Sequence, residues 1–203
     1  SGVSNPRWDS SAGSEHGLLR FGALLRDIDQ FDTDIFALRA PEAVGIDPQH
    51  RILLECVLDT HSQLTYADLK SLCGVVVGIS SADYSSMVAN TGLFSPTGGA
   101  LSVACGRISF VFNLHGACLS IDTACSSSLV GAHTSKHIIC ANECEAMLCC
   151  GANLTLSVTT TKIFNNAGML ADDGRCKTLD VAANGYVRGE ACVVLYLSAD
   201  DIF

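Results

Sequence analysis

A chain of 203 residues that is 48% hydrophobic and only 16% charged is globular, with material for one domain or half of a larger one. Its formal charge of −9, with 12 scattered Lys and Arg, argues against nonspecific binding of nucleic acid, which needs clustered cations. No run approaches the ~18–20 apolar residues of a membrane span, and the opening SGVSNPRWD lacks the apolar centre of a signal peptide.

Residues 1–40 read as mixed and loop-rich, with Phe21, Leu24, Leu25, Ile28 and Phe31 as one apolar face of a short helix or irregular segment. Asp47-Pro48 is a helix start, a capping carboxylate followed by proline at the first helical position. Leu53, Cys56, Val57 and Thr60 then recur at helical spacing and predict a helix over 48–62. CGVVVGI, residues 73–79, is a short β-branched run bounded by glycine and reads as a strand buried on both faces. After a polar loop, strands are expected at Ile108–Phe112 and Leu119–Thr123 with His115-Gly116 turning between them. A helix over Ser126–Cys140, a buried strand over Ala146–Ser157, a long Gly- and Asp-rich structured loop over Met169–Glu190 and a last strand over Cys192–Leu197 complete the chain. Strands alternate with helices and no repeat or linker intervenes, so the class is α/β with a largely buried mixed sheet.

Eleven cysteines, an odd number, many in apolar surroundings such as AMLCCGANL, read as reduced thiols rather than a disulfide framework. Cys140 and Cys144 are spaced to share a helix face, but no second pair completes a structural zinc site. Ten of the eleven are expected to be packing residues.

The exception lies in Leu119–Leu129, LSIDTACSSSL, where an apolar strand runs through small residues into Cys125, three serines and a helix. Such a strand–turn–helix sets a side chain on a sharp elbow. The thiolate is the attacking species, and the partial positive charge of a helix N-terminus favours it. Ala124, Ser126 and Ser127 are small enough to leave room for a substrate, and N–H groups at the turn can stabilise an oxyanion. The alternative left open by spacing alone is that Cys125 is one more small core residue.

DTACSSSL resembles the active-site signature of type I β-ketoacyl synthases. Pro6-Arg7-Trp8-Asp9 resembles the family's RWD segment, and DPQHRILLE at Asp47–Glu55 its DPQQRLLLE helix. Thr97–Phe110 and Asp173–Glu190 match in turn, so resemblance in order and register extends along nearly the whole chain. The serines after Cys125 resemble modular polyketide synthases and animal-type fatty-acid synthases more than stand-alone bacterial enzymes.

The resemblance implies a thiolase-like α/β fold, its N-terminal half only, with a mixed five-stranded sheet packed with helices. Residues 1–203 would be a partial N-terminal domain, truncated at both ends and poorly soluble alone. It implies decarboxylative Claisen condensation, in which Cys125 takes an acyl group from a phosphopantetheine thioester, its own N–H serving as oxyanion donor, before a malonyl thioester attacks. Substrates would arrive on the phosphopantetheine of an acyl carrier protein; no cofactor, metal or nucleotide would bind directly. The strand around Ala117–Asp122 would lie near the two-fold axis of a cytoplasmic homodimer. The family's two catalytic histidines are expected outside this chain. His16, His50 and His61 read as surface residues, His115 as a turn residue, and His133 and His137 as packing or surface groups, because His133 falls roughly 12 Å along the helix from Cys125.

Departures from the family pattern are Ala117-Cys118 at a position that usually carries proline, a missing tryptophan after Glu55, and Glu190-Ala191-Cys192-Val193 in place of a Gly-rich turn. None touches Cys125. The other readings are a catalytically incomplete remnant acting only as a dimerising scaffold, and a thiol hydrolase built on the same elbow.

Overall fold

The computed structural model describes residues 21–63, 72–81, 83–87 and 95–201. The RWD segment at Pro6–Asp9 and His16 lie outside these residues. The chain divides into two compact units, one built from Asp27–Asn153 and Ala191 onward, the other from Leu154–Glu190 with the described residues 21–26.

The larger unit is organised by its sheet. β1 (Cys73–Gly78) is buried along its whole length, as its β-branched run requires. It pairs in parallel with β2 (Cys118–Ile121) on one side and β3 (Ala146–Asn153) on the other, and β4 (Ala191–Ser198) closes against β3 in antiparallel register. The order is β2-β1-β3-β4. On one face Val75, Val77, Leu148 and Cys150 meet Leu53, Leu54 and Val57 of α2 (Pro48–Gln63) and Ala104, Cys105 and Ile108 of a later helix, Leu101–Val111. On the other, Val76 and Met147 meet Ile138 and Ile139 of the helix Ser127–Cys140. Short helices α1 (Ala40–Gly45), α3 (Asp83–Met87) and α4 (Ser95–Gly98) punctuate the connections, so the two longer ones are α5 and α6.

Asp47 starts α2 as expected, its Oδ1 accepting the Gln49 N–H at 2.8 Å. His50 departs from expectation. It is 2% exposed, and neither ring nitrogen has a hydrogen-bond partner among the described residues. The helical period that buries Leu53, Leu54 and Val57 also turns His50 inward. Burial, with the Arg107 guanidinium nearby, lowers its pKa to about 4. Burial pushes the Asp47 carboxyl up to about 6, against the opposing hydrogen bonds from Gln49.

The sheet has four strands among the described residues, not five, because Ile108–Phe112 is not a strand. It is the end of α5, whose Leu101, Ala104, Cys105 and Ile108 follow a helical period into the core. The strand-forming residues Ile108, Phe110 and Val111 mask that period when read locally. Phe21–Phe31 forms no helix; Ala23 makes an isolated bridge to Gly189, a turn lies at Ile28-Asp29, and Phe31 stacks on Phe36 with centroids 5.0 Å apart.

In the smaller unit the expected strand over Ala146–Ser157 has already ended at Asn153, and α7 (Val158–Asn166) follows. Its β-branched VTTT opening is a weak helix former, yet Ser157 caps it by accepting the Thr160 N–H at 3.4 Å. The Met169–Glu190 loop is ordered by its own contacts, with Tyr186 N bonded to Met169 O and Ala171 N to Tyr186 O, both at 3.0 Å. Buried Glu190 accepts the N–H groups of Leu25 at 2.8 Å and Thr155 at 2.7 Å. Arg188 lies 5.1 Å over the Phe164 ring and donates to Thr161 Oγ1 at 2.7 Å.

Candidate active site

Parallel strands deliver their carboxyl ends to one edge, where ligands bind in open α/β sheets. At that edge β2 leads through Asp122, Thr123 and Ala124 to Cys125, and α6 begins two residues later. Cys125 is exposed.

The turn is tight enough to need a left-handed residue. Ala124 supplies it with φ +55°, a conformation costing about 1–2 kcal/mol for a residue with a Cβ. Neighbouring groups hold it there. Asp122 Oδ1 accepts the Ala124 N–H at 3.0 Å; Ser127 Oγ accepts the Thr123 N–H at 2.9 Å and donates to Ala124 O at 2.6 Å. Ser126 Oγ donates to Thr123 O at 2.9 Å. The N–H groups of Ser126 and Ser127 turn back to Thr123 O and Ala124 O at 3.4 and 3.1 Å. Within Thr123–Ser127 that leaves the Cys125 N–H, which has no acceptor among the described residues. An exposed thiol therefore sits beside an uncommitted amide.

Glycines seat the elbow on the sheet. A Cβ on Gly78, at the end of β1, would lie 2.8 Å from both Ser127 C and Ser128 N, and one on Gly151 of β3 would lie 2.9 Å from Ser128 Cβ. Along the helix, a Cβ on Gly131 would reach Val76 Cγ1 at 3.1 Å. Without these approaches α6 could not bring its first turn down to the strand ends.

Ser127 differs from its expected role. Rather than clearing space for substrate, Ser127 is 4% exposed and its hydroxyl is turned into the elbow, because both of its partners are backbone groups of the turn itself. Local sequence reasoning named Ser127 in another role; Asp122, Gly78 and Gly151 hold the elbow and were given no role there. The motif contained Asp122; the glycines carry no local signal, because only tertiary contact reveals their purpose.

Among the described residues no histidine is hydrogen-bonded to Cys125. His133 and His137 are exposed along α6 with ring centroids 4.4 Å apart, His115 is exposed, and His61 packs 5.8 Å from the Phe112 ring. None of the eleven cysteines forms a disulfide. Three of the ten expected to pack, Cys118, Cys140 and Cys176, are exposed. Cys140 ends α6 and Cys144 is buried beyond it, so the two share no helix face. No group of three or more His, Cys, Asp or Glu among the described residues is arranged to hold a metal ion, and no described helix is long and apolar enough to cross a membrane.

Residues 3–201 match the family model described as Beta-ketoacyl synthase, N-terminal domain. The chain belongs to the β-ketoacyl synthase family. It is similar to the mycocerosic acid synthase-like polyketide synthase of Mycolicibacterium smegmatis, 38% identical over 90% of this chain and 9% of that protein. It is also similar to the polyketide synthase component of lovastatin nonaketide synthase of Aspergillus terreus, 39% identical over 81% of this chain and 6% of that protein. The chain thus spans about a tenth or less of the length of the curated relatives it matches. Among solved structures, the ketosynthase from module 6 of the bacillaene synthase of Bacillus subtilis 168 superimposes with a TM-score of 0.84 at 33% identity, over 98% of this chain and 34% of that one. The fold is accordingly thiolase-like, and this chain is a ketosynthase N-terminal domain sequence with the relatives of a type I polyketide synthase.

Proposed function

We propose that the protein carrying this chain is a 3-oxoacyl synthase of polyketide or fatty-acid assembly, and that Cys125 is its acyl-accepting nucleophile. The observation that carries the reading is the exposed Cys125 thiol beside its own uncommitted N–H at the foot of α6.

The Cys125 thiolate attacks the carbonyl carbon of an acyl thioester, and the phosphopantetheine thiol of the carrier leaves with the proton. The Cys125 N–H donates to the oxyanion formed on the way, at the positive end of the α6 dipole. A malonyl-type thioester then loses CO2, and the resulting enolate carbon attacks the acyl-enzyme. This releases a 3-oxoacyl thioester and expels the Cys125 thiolate, which takes a proton from water to restore the thiol. The histidines that assist decarboxylation are supplied from outside this chain in this reading. The partners are an acyl carrier protein and a second copy of the protein. An edge position for β2, with Cys118, Leu119 and Ser120 exposed, supports pairing of two copies there. Eleven cysteines without a disulfide fit a cytoplasmic, reducing setting.

The test supplies the full-length protein with an acyl-loaded and a malonyl-loaded carrier. Release of CO2 and a 3-oxoacyl carrier two carbons longer are expected, and the 3-oxoacyl product should vanish in Cys125→Ala. Carriers returned unextended by the unaltered protein would instead support the scaffold reading.

A further inference from the structure

The elbow geometry points to Ser127 as a positioning residue for acyl transfer; this rests on the reading of Cys125 as the nucleophile. We propose that the buried Ser127 hydroxyl aims the Cys125 thiol and N–H by clamping the two residues before them, without touching substrate.

Ser127 Oγ reaches across the turn to accept from Thr123 N at 2.9 Å and donate to Ala124 O at 2.6 Å. One hydroxyl thereby ties the Thr123 N–H to the Ala124 carbonyl, whose peptide unit carries the Cys125 N–H. Ala124 between them is left-handed at φ +55°, and such a residue relaxes toward negative φ unless its surroundings hold it. Any rotation there swings the following peptide, whose N–H belongs to Cys125. Asp122 restrains only the Ala124 N–H, Ser126 binds the Thr123 carbonyl and hydroxyl, and the Ser127 N–H reaches Ala124 O at 3.1 Å, so only the Ser127 hydroxyl links the Thr123 N–H to the Ala124 carbonyl. Ser127 is itself 4% exposed, and the end of β1 lies so near that a Cβ on Gly78 would come 2.8 Å from its carbonyl carbon.

Acylation and simple alkylation separate this role from a structural one. Acylation needs the thiol and the oxyanion donor in register, whereas iodoacetamide needs only an accessible thiol. Both rates are measured at Cys125 by peptide-resolved mass spectrometry, using an acyl N-acetylcysteamine thioester and the full-length protein. In Ser127→Ala the acylation rate is expected to fall about tenfold or more, the scale of a slightly misplaced reacting group. Alkylation should stay within about twofold, and Ser127→Thr, which keeps the hydroxyl, should recover acylation. If Ser127→Ala does not fold, Ser127→Cys takes its place with the same expectation. Unchanged acylation, or acylation and alkylation falling together in folded protein, overturns the positioning role. Unaltered protein that is alkylated but never acylated at Cys125 overturns the underlying reading instead.

Discussion

Gly78 and Ser128 approach so closely that a Cβ on the glycine would lie 2.8 Å from the serine's backbone nitrogen. The end of β1 and the first turn of α6 are thus in backbone contact, and the height of the elbow above the sheet is set by a missing side chain. Ser127 C lies at the same 2.8 Å, so neither neighbour is a flexible group able to yield.

Gly78→Ala should therefore lower the thermal midpoint, at a cost of about 1–3 kcal/mol as for other overpacked cores, and should slow acylation at Cys125. Gly106 is the internal contrast. It lies within α5 and a Cβ there would meet nothing within 4 Å. Gly106→Ala should raise stability by about 0.5–1 kcal/mol through helix propensity alone. Thermal unfolding of both variants checks the pair; equal effects would contradict the close approach at Gly78.

Asp47 and His50 give opposing pH dependences. The folded pKa of Asp47 is raised from 3.8 to about 6, so between those values the native state holds a proton that the unfolded chain releases, and stability falls as pH rises. The folded pKa of His50 is lowered from 6.5 to about 4, so over that window the unfolded chain holds the extra proton and stability rises with pH. Each effect is about 3 kcal/mol at full extent, and together they nearly cancel between pH 4 and 6. Asp47→Asn, which keeps the acceptor for Gln49, should lose thermal stability on acidification more steeply than the unaltered protein. His50→Gln should do the reverse. Parallel melting curves across pH 4.5–6.5 would contradict the burial of both groups.

Thiol reactivity should not follow exposure alone. Cys118 is exposed, yet burial of its sulfur, with a hydrogen bond to Cys105, pushes its pKa up to about 11. At pH 8 it should react with iodoacetamide well behind the exposed Cys140. Cys73, pushed to about 12 by burial, and the buried Cys149 and Cys150, both raised mainly by desolvation, should react last. Peptide mapping over a time course checks the order. Cys118 keeping pace with Cys140 would contradict it.

What the sequence disclosed depended on whether the deciding physics was local. α2 begins where Asp47-Pro48 placed it, β1 occupies its glycine-bounded run, and α6 begins one residue after expectation, because caps, β-branching and small-residue turns are short-range signals. α5 and α7 were missed where strand-forming residues, Ile108 and Val111 in one and Val158–Thr161 in the other, sit in helices fixed by packing or a cap. At the site, the motif singled out Cys125, while the inward turn of Ser127 and the approach of Gly78 arise from contacts across the turn and between elements. His50 was misread for a related reason: its polarity suggests the surface, but helix period buries it.

Cys125 itself is tested most directly by incubating the full-length protein with an acyl thioester and locating the adduct by mass spectrometry. A single acyl mass on the peptide containing Cys125, absent in Cys125→Ala and removed by hydroxylamine, is the expected result. Equal labelling of the unaltered protein and Cys125→Ala, or an adduct confined to another cysteine, would contradict the assignment.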